Sequence, residues 1–314
     1  MAATEMAAAR ASATNELTAG VVGMGAMGMG IALSLLRGGF RTTGFDLNPD
    51  AMARLAETGG TPAATLAAGA EADVIFLVVV NAAQVDAVLF GADGLAPALR
   101  EGAIVALDVT VPPAFARDVA ARLAERGIVM LDAPISGGSA RAHAGELTVM
   151  ASGAPAAFDR AAPLFDAIAA KLYRLGDEPG AGSTVKMINQ LLCGVHIAAM
   201  GEAMALGIRA GVDARTIYEV ISNSAGSSWM FQNRGPHIVD NDYTPLSAVD
   251  IFVKDLGIVL ETGKALTFPL PVAASAHQMF LAASGSGYGR EDDAAVIKVY
   301  RDLTGIALPG DEQA

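Results

Sequence analysis

The pattern of apolar and polar positions changes character near residue 178. Before it, apolar runs of strand length alternate with longer stretches of helical spacing. GVVGMG leads into a helix of small residues, and FRTTGFD follows as a second strand. VIFLVVV is apolar without alternation, as a strand buried on both faces of a parallel sheet should be. AIVALD and IVMLDAP flank a helical segment over 112–126, and ELTVMAS and KLYRL complete the series. Strands alternating with helices predict βαβ units, hence an α/β domain on a parallel sheet. After GDEPGAG the β-rich runs thin out. Helical patterns take over at 184–210, 214–222, 247–264 and 272–283, punctuated by AGVD and FPLP. The expected organisation is an α/β domain over 17–178 and an all-α domain over 179–314, after a flexible tail at 1–16.

Composition narrows the class of protein. Of 314 residues, 53% are hydrophobic and 17% charged, which indicates a well-buried globular chain. The net charge of −12, with no Lys/Arg cluster against it, argues against a nucleic-acid partner. The longest purely apolar run, 74–80, is far too short to cross a bilayer. The first residues carry Glu5 and Glu16 and no apolar core, so no secretory signal or membrane association is expected. Cys193 is the only cysteine, which rules out an internal disulfide and leaves the cytoplasm as the simplest location.

Candidate chemistry begins at VVGMGAMGMG, where Gly23-x-Gly25-x-x-Gly28 joins the first strand to the first helix. Gly23 permits the tight turn, Gly25 lets backbone approach a pyrophosphate, and Gly28 lets helix and sheet pack closely. Met24, Ala26 and Met27 lie between them and offer N–H groups at the helix N-terminus. Asp46 ends the second strand about 20 residues on, where an acid binds the ribose hydroxyls. Together these predict a Rossmann-type domain that binds a dinucleotide, with a merely structural turn as the alternative. A carboxylate at position 46 repels a 2′-phosphate, and the following LNPD offers no arginine for one, so NAD is favoured over NADP.

Two later features suggest what the dinucleotide is for. DAPISGG ends the fifth strand in Ser136, Gly137 and Gly138, small residues that can turn N–H groups toward one anion or form an ordinary turn. GSTVKMINQLLCG opens an apolar helix and carries a lysine near its start. If Ser183 is the N-cap, Lys186 takes the place where a capping box would put Glu or Gln. A positive charge is also disfavoured near that end of the helix dipole. Asn189, Gln190 and Cys193 share its face. Removing hydride from an alcohol carbon requires a base at the hydroxyl, and a lysine whose proton is destabilised by burial can serve. The alternative is a surface lysine snorkelling from an apolar helix. No H-x-x-x-H helix, cysteine pair or G-x-S-x-G is present, so metal and serine hydrolase chemistry lack their parts.

GMGAMGMG, DAPISGG, GAGSTVKMINQ and DIFVKDLG stand in this order between residues 17 and 305. In this the chain resembles the β-hydroxyacid dehydrogenases, the family of 3-hydroxyisobutyrate and 6-phosphogluconate dehydrogenases. The resemblance implies that Ser136, Gly137, Gly138 and Asn189 hold a small anionic hydroxyacid and that Lys186 is the acid/base. It assigns Asn81, Thr110 and Lys254 to the cofactor along with residues 23–28 and Asp46. It also gives the all-α domain to substrate binding and to assembly as a homodimer or homotetramer. Two departures stand out: DVTV replaces the usual Ser-Thr after the fourth strand, and the double asparagine after the lysine is Asn189-Gln190. Lys254 could instead form an i,i+4 ion pair with Asp250 on an exposed face. The stretches GVHIAAMGEAMAL, SSWMFQNR and DYTPLSAVDIFVKDLGIV look most like the branch that oxidises C2 of a four-carbon sugar acid, L-threonate. Tartronate semialdehyde reductases and 3-hydroxyisobutyrate dehydrogenases come next. A non-catalytic dinucleotide sensor would keep the glycine turn but would have no need of Lys186.

Overall fold

The structure is a computed structural model that describes residues 17–311; the tail expected at 1–16 lies outside the described residues. The chain divides into two compact units between Lys186 and Met187.

The glycine-rich segment lies between β1 (Thr18–Val22) and α1 (Ala26–Arg37). Then follow β2 (Arg41–Phe45), α2 (Pro49–Glu57), β3 (Thr61–Pro62), β4 (Val74–Leu77), α3 (Ala82–Phe90), β5 (Ile104–Leu107), α4 (Pro113–Ala124) and β6 (Val129–Asp132). The six strands form one parallel sheet in the order β3-β2-β1-β4-β5-β6. Every residue of β4 and β5 is fully buried. Val74, Phe76, Ile104 and Ala106 feed the core on one face, while Ile75, Leu77, Val105 and Leu107 feed the other. That two-sided burial is why VIFL shows no alternation. The strand is shorter than VIFLVVV, since Val78 and Val79 are half-buried outside it and Val80 is exposed. Val22 pairs with both Phe45 and Leu77, and Leu107 pairs with both Leu77 and Asp132, so five strands end level at one edge. The strand order reverses between β1 and β4, which makes the loop after β1 a topological switch point.

Two segments read as members of this sheet belong elsewhere. After β6 come β7 (Ile135–Ser136), α5 (Gly138–Ala144), β8 (Leu147–Ala151), α6 (Pro155–Ile168) and β9 (Ala169–Arg174). ELTVMAS and KLYRL thus form a separate three-stranded sheet, β7-β8-β9, with β7 antiparallel to β8. The residues of β9 are exposed or half-buried along its whole length, unlike those of a central strand. A backbone bridge between Asp132 and Ser152 joins the two sheets.

The division between the units falls within α7 (Ala181–Arg209), which is followed by α8 (Ala214–Ser222), α9 (Trp229–Val239), α10 (Val249–Ala265), α11 (Pro271–Ala283) and α12 (Lys298–Thr304). Three of the expected helical stretches after 210 lie within two residues of α8, α10 and α11. The apolar pattern predicts no helix at 229–239, because Gly235 and Pro236 lie inside α9. Ser228 caps it, its Oγ accepting from Phe231 N–H at 3.0 Å. Ile197, Met204, Phe252, Leu256 and Phe280 build the core of the second unit, with the Phe252 and Phe280 rings stacked at 5.1 Å. By length and composition alone α7 could cross a membrane. Its Ile197, Met200, Met204 and Ala205 are spent on this core instead.

Candidate functional site

The three glycines after β1 answer to different constraints. Gly23 has φ +92°, and a Cβ there would collide with the Val78 carbonyl oxygen. A Cβ on Gly28 would strike the Gly23 carbonyl oxygen. Gly25 differs from both: its φ of −64° suits any residue, and nothing lies within 4 Å of where its Cβ would be. Neither backbone nor packing demands glycine there, so the space is what an incoming ligand would use. The turn is also pinned by Asp46, whose Oδ2 accepts from Met24 N–H at 2.6 Å and Oδ1 from Asn48 N–H at 2.8 Å. Both oxygens keep further lone pairs for ribose hydroxyls. A cavity of about 480 Å³ opens beside Gly25 and Ala26, lined also by Asn48, Arg54, Ser139 and His143. Arg54 of α2 brings a cation closer to this turn than LNPD suggested. The open cradle at Gly25, the N-terminus of α1 and the half-buried acid fit a dinucleotide.

Other assigned cofactor residues follow strands of the same sheet. Asn81 caps α3, its Oδ1 accepting from Gln84 N–H at 2.9 Å, while Gln84 Oε1 accepts from Val80 N–H at 2.7 Å. Thr110 is half-buried three residues past β5. Asp108, between them in sequence, is buried with both carboxyl oxygens lacking a hydrogen-bond partner. Burial pushes its carboxyl well above the usual range.

Ser136 ends β7, and Gly137 and Gly138 have φ of +136° and +74°, so the loop requires both glycines. The loop leads into α5, which lies on α1. Ser34 Oγ donates to the Ala142 carbonyl at 2.8 Å, and Arg37 reaches the His143 carbonyl.

Ser183 is not the N-cap of the lysine's helix. Helix α7 starts at Ala181, so Ser183 lies in its first turn and Lys186 in its second. The Ser183 hydroxyl is drawn away from capping because it donates to Asp132 Oδ1 at 2.6 Å. Asp132 Oδ2 accepts from Gly180 N–H and Ser183 N–H, each at 2.8 Å, and more distantly from Ser152 Oγ at 3.4 Å. Burial pushes the Asp132 carboxyl up, and the Ser183, Gly180 and Ser152 donors oppose that rise. Lys186 is 7% exposed, so it is a buried lysine and not a snorkelling one.

In the second unit Asn189 and Lys254 are linked by a polar chain. Asn189 Nδ2 donates to Gln190 Oε1 at 3.0 Å, Gln190 Nε2 donates to Asp255 Oδ2, and Asp255 Oδ1 ion-pairs with Lys254. This gives the Asn-Gln departure a physical reason, because Gln190 is the residue that reaches buried Asp255. Asp250, the alternative partner for Lys254, accepts from Ser284 Oγ at 2.6 Å. Within SSWMFQNR, Met230 and Phe231 pack in the core while Trp229 is 56% exposed. Arg234, also buried, lies against Asp293 at 2.7 Å and Asp292 at 3.8 Å. The sequence pattern assigns no role to Asp132, Ser152 or Asp255. The visible signal was an acid at a strand's end in DAPISGG and another beside the lysine in VKDLG.

A family model described as "NAD binding domain of 6-phosphogluconate dehydrogenase" matches residues 18–176. A second, described as "NAD-binding of NADP-dependent 3-hydroxyisobutyrate dehydrogenase", matches 180–300. The chain is 58% identical over 292 residues to the L-threonate dehydrogenase of Cupriavidus necator, covering 93% of this chain and 97% of that protein. It is 54% identical over 298 residues to the L-threonate dehydrogenase of Escherichia coli K12, covering 94% and 98%. A crystal structure from Salmonella typhimurium, described as a 3-hydroxyisobutyrate dehydrogenase, matches with a TM-score of 0.87 and 54% identity. That match covers 90% of this chain and all of that one.

Proposed function

Because the chain belongs to the β-hydroxyacid dehydrogenase family, we propose that it oxidises C2 of L-threonate to the 2-oxo acid with NAD, Lys186 serving as acid/base. The substrate rests on relatives of that name at 50–58% identity over nearly their whole length. The observation that carries the chemistry is the buried Lys186 in the second turn of α7. When bound, NAD would supply the acceptor for the hydride that leaves the substrate carbon. Lys186 Nζ takes the hydroxyl proton as the carbonyl forms, and returns a proton in the reverse direction. Ser136, Gly137, Gly138 and Asn189 hold the carboxylate end of the acid. Residues 23–28, Asp46, Asn81, Thr110 and Lys254 serve the cofactor. The exposed Leu47 and Val80, which follow β2 and β4, offer apolar surface to the adenine.

Replacing Lys186 with Ala should lower kcat by at least about 10²-fold, the scale of a lost acid/base. Unchanged turnover would reject the assignment. The Salmonella structure's description favours a second reading, 3-hydroxyisobutyrate oxidation. NADH formation on L-threonate, D-threonate, D-glycerate and 3-hydroxyisobutyrate separates the two. A preference for 3-hydroxyisobutyrate would keep the lysine chemistry and reject the substrate. Efficiency with NADP exceeding that with NAD would reject the role given to Asp46.

The same reading places the enzyme in the cytoplasm as a homodimer or homotetramer, acting on a free small acid without nucleic acid or membrane. Leu206, Leu266 and Phe268 are each more than 60% exposed in the second unit, apolar area that a further copy would cover.

A further inference from the structure

A helix leaves its first N–H groups without intrahelical partners. At the start of α7 two side chains from the sheet edge take them up. Asp132 accepts from Gly180 N–H, Ser183 N–H and Ser183 Oγ. Ser152 Oγ, itself within 3.4 Å of Asp132, accepts from Gly182 N–H at 3.0 Å. A Cβ on Gly182 would collide with the carbonyl oxygens of Asp132 and Met150, so this turn is pressed directly against β6 and β8. Bonds to Gly180, Gly182 and Ser183 fix the helix both along its axis and about it. Lys186 follows Gly182 by one full turn and Ser183 by nearly one, so it leaves the helix on the anchored face. A slip of one residue would swing it by about 100°. Misplacing a catalytic group by about 1 Å can cost on the order of 10²-fold in rate.

We propose that Asp132 is the positioning residue for the acid/base: by holding the first turn of α7, its carboxylate sets where Lys186 meets the substrate hydroxyl. This rests on the reading of Lys186 as acid/base. Asp132 is fully buried, and its action passes through the helix, not through contact with the substrate. A merely structural anchor would lower stability and leave no kinetic signature tied to the lysine.

The test uses the full-length enzyme with L-threonate and NAD, measuring kcat, KM and NADH affinity. The variants are Asp132→Ala, Asp132→Asn, Ser183→Ala, Lys186→Ala and the double variant Asp132→Ala/Lys186→Ala. Asp132→Ala should lower kcat at least about 10-fold, with NADH affinity held within about 2-fold because the turn at 23–28 is untouched. Asp132→Asn keeps a carbonyl oxygen for the two N–H groups and should recover most of the loss. Ser183→Ala removes one bond to Asp132 and should cost about 3-fold in kcat. In the Lys186→Ala background, Asp132→Ala should cost nothing further, since its effect runs through the missing amine.

Wild-type kcat in Asp132→Ala overturns the proposal, as does a further loss in the double variant. Equal damage from Ala and Asn also overturns it, because charge and not placement would then be at work. If Asp132→Ala fails to fold, wild-type kcat in Ser183→Ala is the overturning result. If Lys186→Ala keeps full turnover, the acid/base reading itself has failed. If Lys186→Ala is inactive and Asp132→Ala is not, only the positioning role has.

Discussion

Gly30 of α1 and Ala142 of α5 leave no room for a methyl group between them: a Cβ on Gly30 would lie 2.7 Å from the Ala142 Cβ. With the Ser34 bond to the Ala142 carbonyl, this ties the helix of the cofactor turn to the helix of the 136–138 loop. Gly30→Ala should therefore cost about 1–3 kcal/mol by overpacking, despite alanine's better helix propensity. Urea denaturation checks this. An unchanged midpoint would mean that the two helices part easily.

Gly25 and Gly28 should fail in opposite ways. Gly25→Ala meets no protein atom, so the midpoint should stay within about 0.5 kcal/mol of wild type while NADH affinity falls at least about 10-fold. Gly28→Ala drives a methyl into the Gly23 carbonyl and should lose stability first. Thermal melts with and without NADH separate the two cases. Normal NADH binding in Gly25→Ala would show that the open space is not the cofactor's.

Asp108 should give the first unit a pH-dependent stability. Its raised carboxyl pKa means that the folded chain holds this proton after the unfolded chain releases it near pH ~4. Its stabilising contribution is complete below that point and is lost as pH rises toward the folded value, at up to about 1.4 kcal/mol per pH unit. Asp108→Asn cannot titrate, so its stability relative to wild type should increase with pH. Parallel stability curves for the two proteins would refute this.

Arg234 neutralises a buried pair of acids in the second unit. Burial pushes Asp293 up to about 7, opposed by Arg234 and reinforced by Asp292. Arg234→Leu leaves buried Asp293 without its ion-pair partner, beside the negative Asp292, and should cost about 3–5 kcal/mol near neutral pH. Protonation relieves that cost, so the loss should be smaller at pH ~5 than at pH ~8. An equal loss at both would mean that packing, not charge, explains Arg234.

Much of the first unit could be read from one-dimensional pattern because its physics is local. VIFL is buried on both faces and could be little else, whereas the VVV that follows it leaves the strand. The 23–28 turn announces itself through Gly23 and Gly28, which steric collision demands, and through Gly25, which the protein's own packing does not. KLYRL had the residues of a strand, but sequence could not say which sheet it joins, since that depends on partners in ELTVMAS. Trp229–Val239 hid behind an internal Gly-Pro. Asp132 and Asp255 were legible as acids and opaque as anchors. Their partners, Ser183 and Gln190, lie far along the chain, and only folding brings them within a hydrogen bond.

The division of α7 between Lys186 and Met187 bears on how such a protein can be taken apart or recombined. Domains joined by a loop can be exchanged between relatives with little regard to the length of the joint. Here a first unit expressed alone would keep only residues 181–186 of the helix, about 9 Å, far below the length at which isolated helices persist. The lysine would then be a fraying chain end. A chimera joined at this point would have to conserve the helical phase, because each residue gained or lost turns Asn189 by about 100° relative to Lys186.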